Sequence, residues 1–553
     1  MTLVLALVLA VSAVSPKGAI ATAHPAASEA GAEQLRRGGN AVDAAIAAAF
    51  ALSVVEQFSS GIGGGGFALV WMAKEKKLHA IDFREVGPAA ATKDMYLRNG
   101  KADSDLSLTG GLSIAVPGAV RGYAELVKRF GKRPLSKVVA PAIKLAQGGF
   151  RVSERWVNAT GDRLEELAAD PGARKVLLVA DEDGDPDVAE PGDTLVQKDL
   201  ARTLRAIGER GPDAFYKGAI ARKLVAAVKA RGGILTLEDL SNYKVRERTA
   251  IEGHYRGRRI VSFPPPSAGG AVLIGLLQTL EGLEPRAGGS YRPEKFLHGM
   301  IEAEKRLFAK REALFGDPDF FPKVNEAVKE MIDPAVAAKL RADIGDRATP
   351  ADKVREQREH GTSHISVVDE EGNAVALTTT VNYVWGSCVM PPGTGVMMND
   401  QMDDFDIAPG VPNVYGLLGG EANSVAAGKV PLSSMSPTIV FDAAGDVSLV
   451  AGAPGGSTIP TTVAQVISHV IDDGMPVDQA VAAPRIHHQL HPDEIRVENN
   501  GLEAATVEAL KARGHTVRFT SPWGNAQAVG VDPKTGWRSA GSDPRGSGAG
   551  AIP

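Results

Sequence analysis

The stretch of sequence that decides the fold is GTSHISVVDEEGNAVALTTT, residues 361–380. Apolar and β-branched residues at 365–368 and 374–380 predict two strands. The turn residues at 371–373 join these strands and predict a hairpin.

The register of this hairpin brings polar side chains together. If the turn is symmetric about Glu371, Thr362 lies directly opposite Thr380. Opposed side chains in a sheet are about 5 Å apart, which is within reach of a contact between two hydroxyl groups. Alternation along the second strand also places Thr378, Thr380 and Asn382 on one face.

Thr362 is the residue of the hairpin whose side chain is a candidate nucleophile. A threonine hydroxyl needs a base to become a nucleophile, and an N-terminal threonine can use its own α-amine. This requires a cut directly before Thr362, where Gly361 leaves the backbone unhindered. The alternative is an ordinary β-branched strand residue, because threonine is common in strands.

Composition narrows the class of protein. The chain has 553 residues, of which 44% are hydrophobic and 23% charged, as in ordinary soluble domains. Its net charge of -5 argues against a nucleic-acid partner, which leaves a basic footprint. Cys388 is the single cysteine, so the chain forms no internal disulfide, and we interpret this residue as structural.

The secondary-structure signals in the sequence change along the chain. Helical signals dominate residues 20–350, and strand signals become frequent after His364. We predict helices at 26–55 (with a break at 38–40), 121–130, 195–210, 293–314, 461–473 and 504–513. Further strands are predicted at 438–441, 447–450, 494–497, 517–519 and 526–531. This pattern indicates a layered α/β fold with antiparallel strands.

Two segments are predicted to be processed. The charged segment 341–360 is interpreted as an exposed linker before Gly361, which suits a cleavage site. Residues 1–14 are nearly all apolar and include a possible signal segment, which predicts a periplasmic or secreted protein. The basic residues expected before such a segment are missing, so a truncated start or a buried strand is the alternative. No stretch is long enough for an integral membrane span.

The segment after Gly361 is one of several motifs that share a single resemblance. The others are GGNAVDAA at 38–45, GGGGF at 63–67, AIDFRE at 80–85, NDQMDDF at 399–405, PLSSMSPT at 431–438 and GAPGGS at 452–457. Together and in this order they resemble the γ-glutamyltranspeptidase family of N-terminal nucleophile hydrolases.

The resemblance implies a fold, a division of the chain and an activity. The implied fold is a four-layer αββα sandwich. The precursor would be cut between Gly361 and Thr362 into a large subunit, 15–361, and a small catalytic subunit, 362–553, which form one unit. The implied substrates are glutathione and other γ-glutamyl compounds, with water, amino acids or peptides as acceptors. No metal or organic cofactor is implied.

The family also implies a site for the substrate α-carboxylate. Arg84 matches the carboxylate-binding arginine, whose planar fork suits bidentate pairing. Ser433 and Ser434 match positions that hold the same carboxylate. Without the resemblance, Arg84 would be interpreted as a surface ion pair with Asp82 or Glu85.

The substrate α-ammonium needs acceptors. Asp404 matches the family carboxylate, with Asn382 and Gln401 as amide partners. One helical turn would present Gln401 and Asp404 together. The alternatives are a solvated acidic run or a calcium loop, but the alternating acidic pattern and terminal Glu of an EF-hand are absent.

The remaining matches concern the reaction itself. Gly455 and Gly456 match the oxyanion hole, although a Gly-Gly pair alone would indicate only a turn. Thr380 would polarise the Thr362 hydroxyl. Tyr415 lies in a segment, 410–420, that resembles the lid loop of family members with covered pockets.

Other readings of the sequence remain. His487, His488 and His491 lack the spacing of a zinc motif, so no metal is expected there. A rival enzyme is an acylase for glutaryl amides, but these substrates lack the α-ammonium that the Asp404 set would bind. A non-enzymatic rival is a γ-glutamyl-binding protein with an inactive nucleophile.

Overall fold

The computed structural model of the protein describes residues 13–285, 292–351 and 361–553. Within these ranges the strands are β1 (Ala13–Ser15), β2 (Gly18–Thr22), β3 (Gly65–Met72), β4 (Lys77–Asp82), β5 (Leu97–Arg98), β6 (Lys101–Ala102), β7 (Phe150–Arg151), β8 (Leu178–Ala180), β9 (Pro186–Val188), β10 (Thr194–Leu195), β11 (Arg246–Arg248), β12 (Ile251–Tyr255), β13 (Arg258–Ser262), β14 (Ser363–Asp369), β15 (Ala374–Thr380), β16 (Thr438–Phe441), β17 (Val447–Gly452), β18 (Ile486–His487), β19 (Ile495–Glu498), β20 (Val517–Thr520), β21 (Gln527–Val531), β22 (Arg538–Ser542) and β23 (Ala549–Ala551).

The helices connect and cover these strands. They are α1 (Pro25–Arg36), α2 (Ala41–Val55), α3 (Asp105–Leu108), α4 (Ala119–Phe130), α5 (Leu135–Val138), α6 (Ala140–Gly148), α7 (Glu154–Gly161), α8 (Leu164–Ala168), α9 (Pro171–Leu177), α10 (Lys198–Arg210), α11 (Asp213–Tyr216), α12 (Gly218–Ala230), α13 (Leu237–Asn242), α14 (Gly269–Leu280), α15 (Glu294–Leu314), α16 (Val324–Met331), α17 (Pro334–Ala342), α18 (Ile459–Asp472), α19 (Val477–Ala482) and α20 (Ala504–Ala512). The predicted helices and the longer predicted strands are confirmed, with small shifts at their ends.

The hairpin formed by β14 and β15 has the predicted register. Ser363 pairs with Thr379 and His364 with Thr378, which is the symmetric arrangement about Glu371. The Asp369 carboxylate fixes the turn, because it accepts a hydrogen bond of 2.9 Å from the backbone N–H of Asn373.

Two antiparallel seven-stranded sheets form the centre of the molecule. Sheet I has the strand order β1-β22-β21-β17-β16-β13-β12, and sheet II has the order β11-β4-β3-β15-β14-β2-β23. Each sheet takes strands from both sides of Gly361. The two parts of the chain therefore share one core.

Aromatic side chains hold the two sheets face to face. Phe67 of β3 stacks on Phe263, which follows β13, with ring centroids 4.3 Å apart. Trp71 of β3 meets Phe441 of β16 edge to face at 4.9 Å. Such aromatic contacts add stabilisation beyond the area that they bury.

Helices cover the two outer faces. All residues of α2 are buried, and this helix packs with α1 on sheet II. The alanine-rich sequence of α2 suits this position, because alanine has the highest helix propensity and a small side chain. Helices α14 and α18 cover sheet I in the same way. The predicted four-layer αββα sandwich is confirmed.

The glycine-rich segment before β3 allows close packing beside the hairpin. A Cβ atom on Gly64 would lie 1.9 Å from the carbonyl oxygen of Thr380, so no larger residue fits there.

The two segments that the sequence predicts to be processed fall partly outside the described residues. Of the possible signal segment 1–14, only the last two residues are described, as part of β1, which pairs with β22. The linker 341–360 is described up to Ala351, and its first residues complete α17. No helix in the described ranges is long and apolar enough to cross a membrane.

The stacked pair Phe67 and Phe263 offers a test of the sandwich. Phe67→Ala should lower the free energy of unfolding by about 3–5 kcal/mol, because it leaves a cavity between the sheets. Chemical denaturation monitored by fluorescence measures this loss. Phe320→Ala is the control, since its side chain is 49% exposed and should change stability by less than about 0.5 kcal/mol. Equal losses in the two variants would contradict the assigned interface.

Candidate active site

A pocket lies at the end of sheet II where β15 stops. Its lining residues come from both sides of Gly361: Arg84, Arg311, Thr362, Thr380, Asn382, Gln401, Asp404, Tyr415, Leu417, Leu432, Ser433, Ser434, Met435, Gly456 and Ile459. The structure thus gathers almost all of the predicted site residues in one place. The exceptions are Gly455, which precedes Gly456 in the chain, and Gly361, which precedes Thr362.

Thr362 occupies the start of the hairpin with its side chain 4% exposed. Its hydroxyl donates a hydrogen bond to the carbonyl oxygen of Gly361. The Oγ1 atom of Thr380 lies 3.0 Å from that of Thr362 and donates to the same carbonyl at 3.2 Å. The backbone N–H of Asn382 donates to Thr380 Oγ1 at 2.8 Å and thereby orients it. The predicted contact between the two threonines is present.

Arg84 is buried at the floor of the pocket. Its Nη2 atom lies 2.5 Å from Oδ2 of Asp404, and its Nε donates to the carbonyl of Pro431 at 2.9 Å. The sequence alternative of a surface ion pair with Asp82 or Glu85 is wrong, because the side chain is 1% exposed and its ion pair is with Asp404.

Asp404 is the carboxylate at the centre of this network. Gln401 Nε2 donates to its Oδ2 at 2.6 Å, and Asn413 Nδ2 donates to its Oδ1 at 3.2 Å. Gln401 and Asp404 begin and end one 3₁₀ turn, which explains their proximity. Burial raises the pKa of Asp404, and the neighbouring Arg84 opposes this shift.

The other acidic residues of this segment are also inside the protein. Asp400 and Asp403 are buried, so the alternative of a solvated acidic run is wrong. Burial raises the pKa of Asp403 to about 7, although its carboxylate accepts hydrogen bonds from Ser107 Oγ at 2.7 Å and Val414 N at 2.9 Å. Asp403 therefore links the lid segment to the floor of the pocket.

Asn382 and Tyr415 meet above the nucleophile. The Tyr415 hydroxyl donates to Oδ1 of Asn382 at 2.7 Å, and Asn382 Nδ2 donates to the carbonyl of Asp400 at 3.2 Å. Asn382 has a φ of 79°, in the left-handed region that asparagine tolerates. Tyr415 is buried, so the segment 410–420 covers the pocket, as the resemblance implies for a lid.

The two glycines of the predicted oxyanion hole adopt conformations that favour glycine. Gly455 has a φ of 130° and Gly456 a φ of 53°. Among the described residues, neither backbone N–H donates a hydrogen bond. Backbone N–H groups that no described acceptor occupies are suited to bind an oxyanion.

Ser433 and Ser434 line the pocket next to Arg84. The carbonyl of the preceding residue, Leu432, accepts from Arg84 Nη2 at 3.1 Å, which fixes the serines against the guanidinium. Ser433 Oγ accepts from the Met435 N–H at 3.0 Å. The hydroxyl hydrogen of Ser433 thus remains available to a ligand.

Sequence reasoning missed Arg311, a second arginine in the pocket wall. It lies in the last turn of α15 and is 4% exposed, with Nη1 donating to the carbonyl of Leu418 at 3.1 Å. Its position in an amphipathic helix gave no signal of a pocket role, because its burial depends on the lid segment packing over the helix.

A possible metal-binding group lies elsewhere. His298, Glu302 and His515 place one ligand atom each within 4.8 Å of one another. The two histidines already share a hydrogen bond of 2.7 Å, and Glu302 accepts from Thr349 Oγ1 at 2.6 Å. This arrangement is satisfied by its own hydrogen bonds. Cys388 is buried, and burial raises its pKa to about 12, in agreement with a structural role.

The fold and this site together define a class of protein. A threonine hydroxyl held against the preceding carbonyl, inside an αββα sandwich, is typical of N-terminal nucleophile hydrolases. The family model for γ-glutamyltranspeptidase matches residues 27–552. The chain therefore belongs to the γ-glutamyltranspeptidase family. It is an enzyme that transfers γ-glutamyl groups to water or to an acceptor amine.

Individual relatives agree with this assignment. A glutathione hydrolase proenzyme of Escherichia coli is 42% identical over 538 residues, covering 96% of this chain and 90% of the relative. One from Pseudomonas aeruginosa is 41% identical over 543 residues, covering 97% and 94%. The crystal structure of a cephalosporin acylase from Bacillus halodurans has a TM-score of 0.82 at 28% identity and covers 98% of this chain and 96% of that chain.

A solved γ-glutamyltranspeptidase from Helicobacter pylori also matches part of the chain. Its TM-score is 0.55 at 39% identity, and the match covers 59% of this chain and 92% of that chain. Nearly all of the solved chain therefore aligns with one part of the present chain.

Glu85, next to Arg84, makes stability depend on pH. Both of its carboxylate oxygens are buried without a hydrogen-bond partner among the described residues, and burial raises its pKa from 4.5 to about 8. The folded state therefore holds this proton more tightly than the unfolded state, so stability falls as pH rises from 4.5 to 8. Glu85→Gln should make this pH-dependent decrease in the free energy of unfolding smaller by about 2–4 kcal/mol.

The measurement is the free energy of unfolding of both proteins at pH 5 and at pH 8.5. We expect the variant to lose less stability than the wild type between these values. Glu75→Gln is the matched control, since Glu75 is exposed and should leave the wild-type pH dependence unchanged. Parallel curves for the wild type and the Glu85 variant would show that Glu85 titrates normally in the folded protein.

Proposed function

We propose that the chain cuts itself between Gly361 and Thr362, and that Thr362 then transfers the γ-glutamyl group of glutathione and related compounds. The observation that carries the proposal is the position of the Thr362 hydroxyl against the Gly361 carbonyl, inside a pocket that presents paired charges. The precursor would yield a large subunit ending at Gly361 and a small subunit, 362–553.

Self-cleavage follows from the contacts of the two threonines. Thr362 Oγ1 attacks the carbonyl carbon of Gly361, the C–N bond breaks, and the Thr362 nitrogen takes up the proton. Thr380 Oγ1, at 3.2 Å from the carbonyl oxygen, stabilises the negative charge that develops there. Water then hydrolyses the ester, which leaves a Gly361 carboxylate and a free Thr362 amine.

The new α-amine supplies the base that Thr362 lacks in the precursor. It removes the hydroxyl proton as Oγ1 attacks the γ-glutamyl carbonyl, and it returns the proton to the departing amine. The unpaired N–H groups of Gly455 and Gly456 hold the oxyanion. Water or an acceptor amine then attacks the acyl-enzyme by the reverse path.

Paired charges in the pocket match the zwitterionic end of a γ-glutamyl group. Arg84, with Ser433 and Ser434 beside it, faces the α-carboxylate. Asp404, with Gln401, faces the α-ammonium, and Asn382 adds an amide. Because Arg84 and Asp404 already neutralise each other, a zwitterion exchanges one ion pair for two without leaving a buried charge unpaired.

The acylase alternative fits this pocket less well. The structural similarity to a cephalosporin acylase shows that the sandwich also occurs in an enzyme with that name. A glutaryl group has no α-ammonium, so its carboxylate would add a second negative charge beside the Arg84–Asp404 ion pair without adding a cation. An unbalanced buried charge is costly, so the pocket favours a γ-glutamyl donor.

Export of the protein is the remaining part of this proposal. The apolar run at 1–14 and the bacterial relatives support a periplasmic or secreted location. Mass spectrometry of the mature chains, purified from separate cell fractions, reports both the compartment and the first residue of the large subunit.

Thr362→Ala tests the cleavage. The wild type should separate into two fragments, one ending at Gly361 and one beginning at Thr362, whereas the variant should remain uncut at this bond because the attacking hydroxyl is gone. Mass spectrometry of the denatured protein distinguishes these outcomes. Ser363→Ala is the matched control and should be cut normally, since Ser363 Oγ has no hydrogen-bond partner among the described residues. A fully active uncut wild type would refute the mechanism.

Arg84 tests substrate binding separately from cleavage. Arg84→Lys should raise KM for γ-glutamyl-p-nitroanilide at least about tenfold, because a point charge cannot replace the bidentate fork. The chain should still cut itself, since Arg84 contacts neither Thr362 nor Gly361. An unchanged KM in a fully processed variant would remove Arg84 from the site.

A further inference from the structure

A second cavity opens beside the proposed oxyanion glycines. It is lined by Gly455, whereas the γ-glutamyl pocket is lined by Gly456. We call this second cavity the outer groove; its walls include Arg155 and Asn158 of α7 and, from the other side, Trp523 and Arg545.

The outer groove lies on the Gly361 side of the nucleophile. The guanidinium carbon of Arg155 is 5.5 Å from the ring centroid of Phe58. The carbonyl oxygen of Phe58 lies 3.1 Å from the position that a Cβ atom on Gly361 would take. Phe58 therefore connects Arg155 to the bond that precedes Thr362.

The two arginines of the outer groove differ in how closely carboxylates hold them. Arg545 is held by Glu498 at 2.6 Å and by Asp543 at 3.0 Å. Arg155 has a buried Nη1 with no hydrogen-bond partner among the described residues, and its nearest described carboxylate is Glu56, at 4.0 Å. Nη1 itself is buried, but the side chain as a whole is 26% exposed, so a ligand in the groove can reach its exposed part.

The proposed reaction indicates which part of the substrate would enter the outer groove. In the tetrahedral intermediate the γ-glutamyl part occupies the pocket, and the oxyanion points to Gly455 and Gly456. The leaving amine is protonated by the α-amine of Thr362, so it lies on the side from which Gly361 departs. An extended dipeptide spans about 7 Å from its first nitrogen, and its far end carries a carboxylate.

We propose that the outer groove binds the dipeptide part of the donor, and the peptide acceptor that replaces it, with Arg155 pairing their C-terminal carboxylate. This inference rests on the proposed function and extends it to the leaving group and the acceptor. Arg155 would thereby distinguish donors with a peptide leaving group from donors with a neutral one. Arginine is suited to this role, because its fork binds a carboxylate in a bidentate manner.

The first test needs no variant. The wild-type enzyme is assayed with glutathione, with glutathione amidated at its C-terminus, and with γ-glutamyl-p-nitroanilide, whose leaving group has no carboxylate. We expect the amide to raise KM about tenfold relative to glutathione. Equal KM values for glutathione and its amide would overturn the proposal. If the wild type turns over none of the three donors, the proposed function itself fails, and this inference fails with it.

The second test assigns the effect to Arg155. Arg155→Gln should raise KM for glutathione, and for glycylglycine as acceptor, about tenfold, while KM for γ-glutamyl-p-nitroanilide hydrolysis stays within twofold. The difference between glutathione and its amide should disappear in this variant. Arg174→Gln, at an exposed arginine outside the outer groove, is the matched control and should behave as wild type. A parallel rise for all donors would show a general structural defect and overturn the assignment.

Discussion

The antiparallel pairing of β14 with β15 is the constraint on which the rest of the structure depends. Its register sets Thr362 opposite Thr380, so the two hydroxyl groups lie 3.0 Å apart at the point where the strands end. A shift by one residue would turn every side chain of the strand to the other face of the sheet. The sandwich prevents such a shift, because both faces of the hairpin are buried.

Burial of the hairpin has an electrostatic consequence at the pocket. Arg84 and Asp404 are removed from water and stabilise each other, and removing one partner of such a pair typically costs about 3–5 kcal/mol. The surrounding acids, such as Asp403, have raised pKa values for the same reason. A zwitterionic ligand is the chemical species that can enter this environment while both charges remain paired.

The oxyanion glycines divide the active-site region into two compartments. Gly456 faces the charged pocket, and Gly455 faces the outer groove with its available guanidinium, Arg155. Lid residue Tyr415 closes only the first compartment, through its hydrogen bond to Asn382. In the proposed reaction the acyl part of a substrate is thus enclosed, whereas its leaving group lies where an acceptor can enter.

The sequence by itself determined the hairpin, its register and the residue types of the site. Side-chain alternation and the turn depend only on neighbours in the chain. The ordered motifs identified the candidate site residues, from Arg84 to Gly456. Burial and long-range contacts were decided only by the tertiary structure. Neither the ion pair between Arg84 and Asp404 nor the roles of Arg311 and Arg155 can be read locally, because each depends on segments distant in sequence packing together.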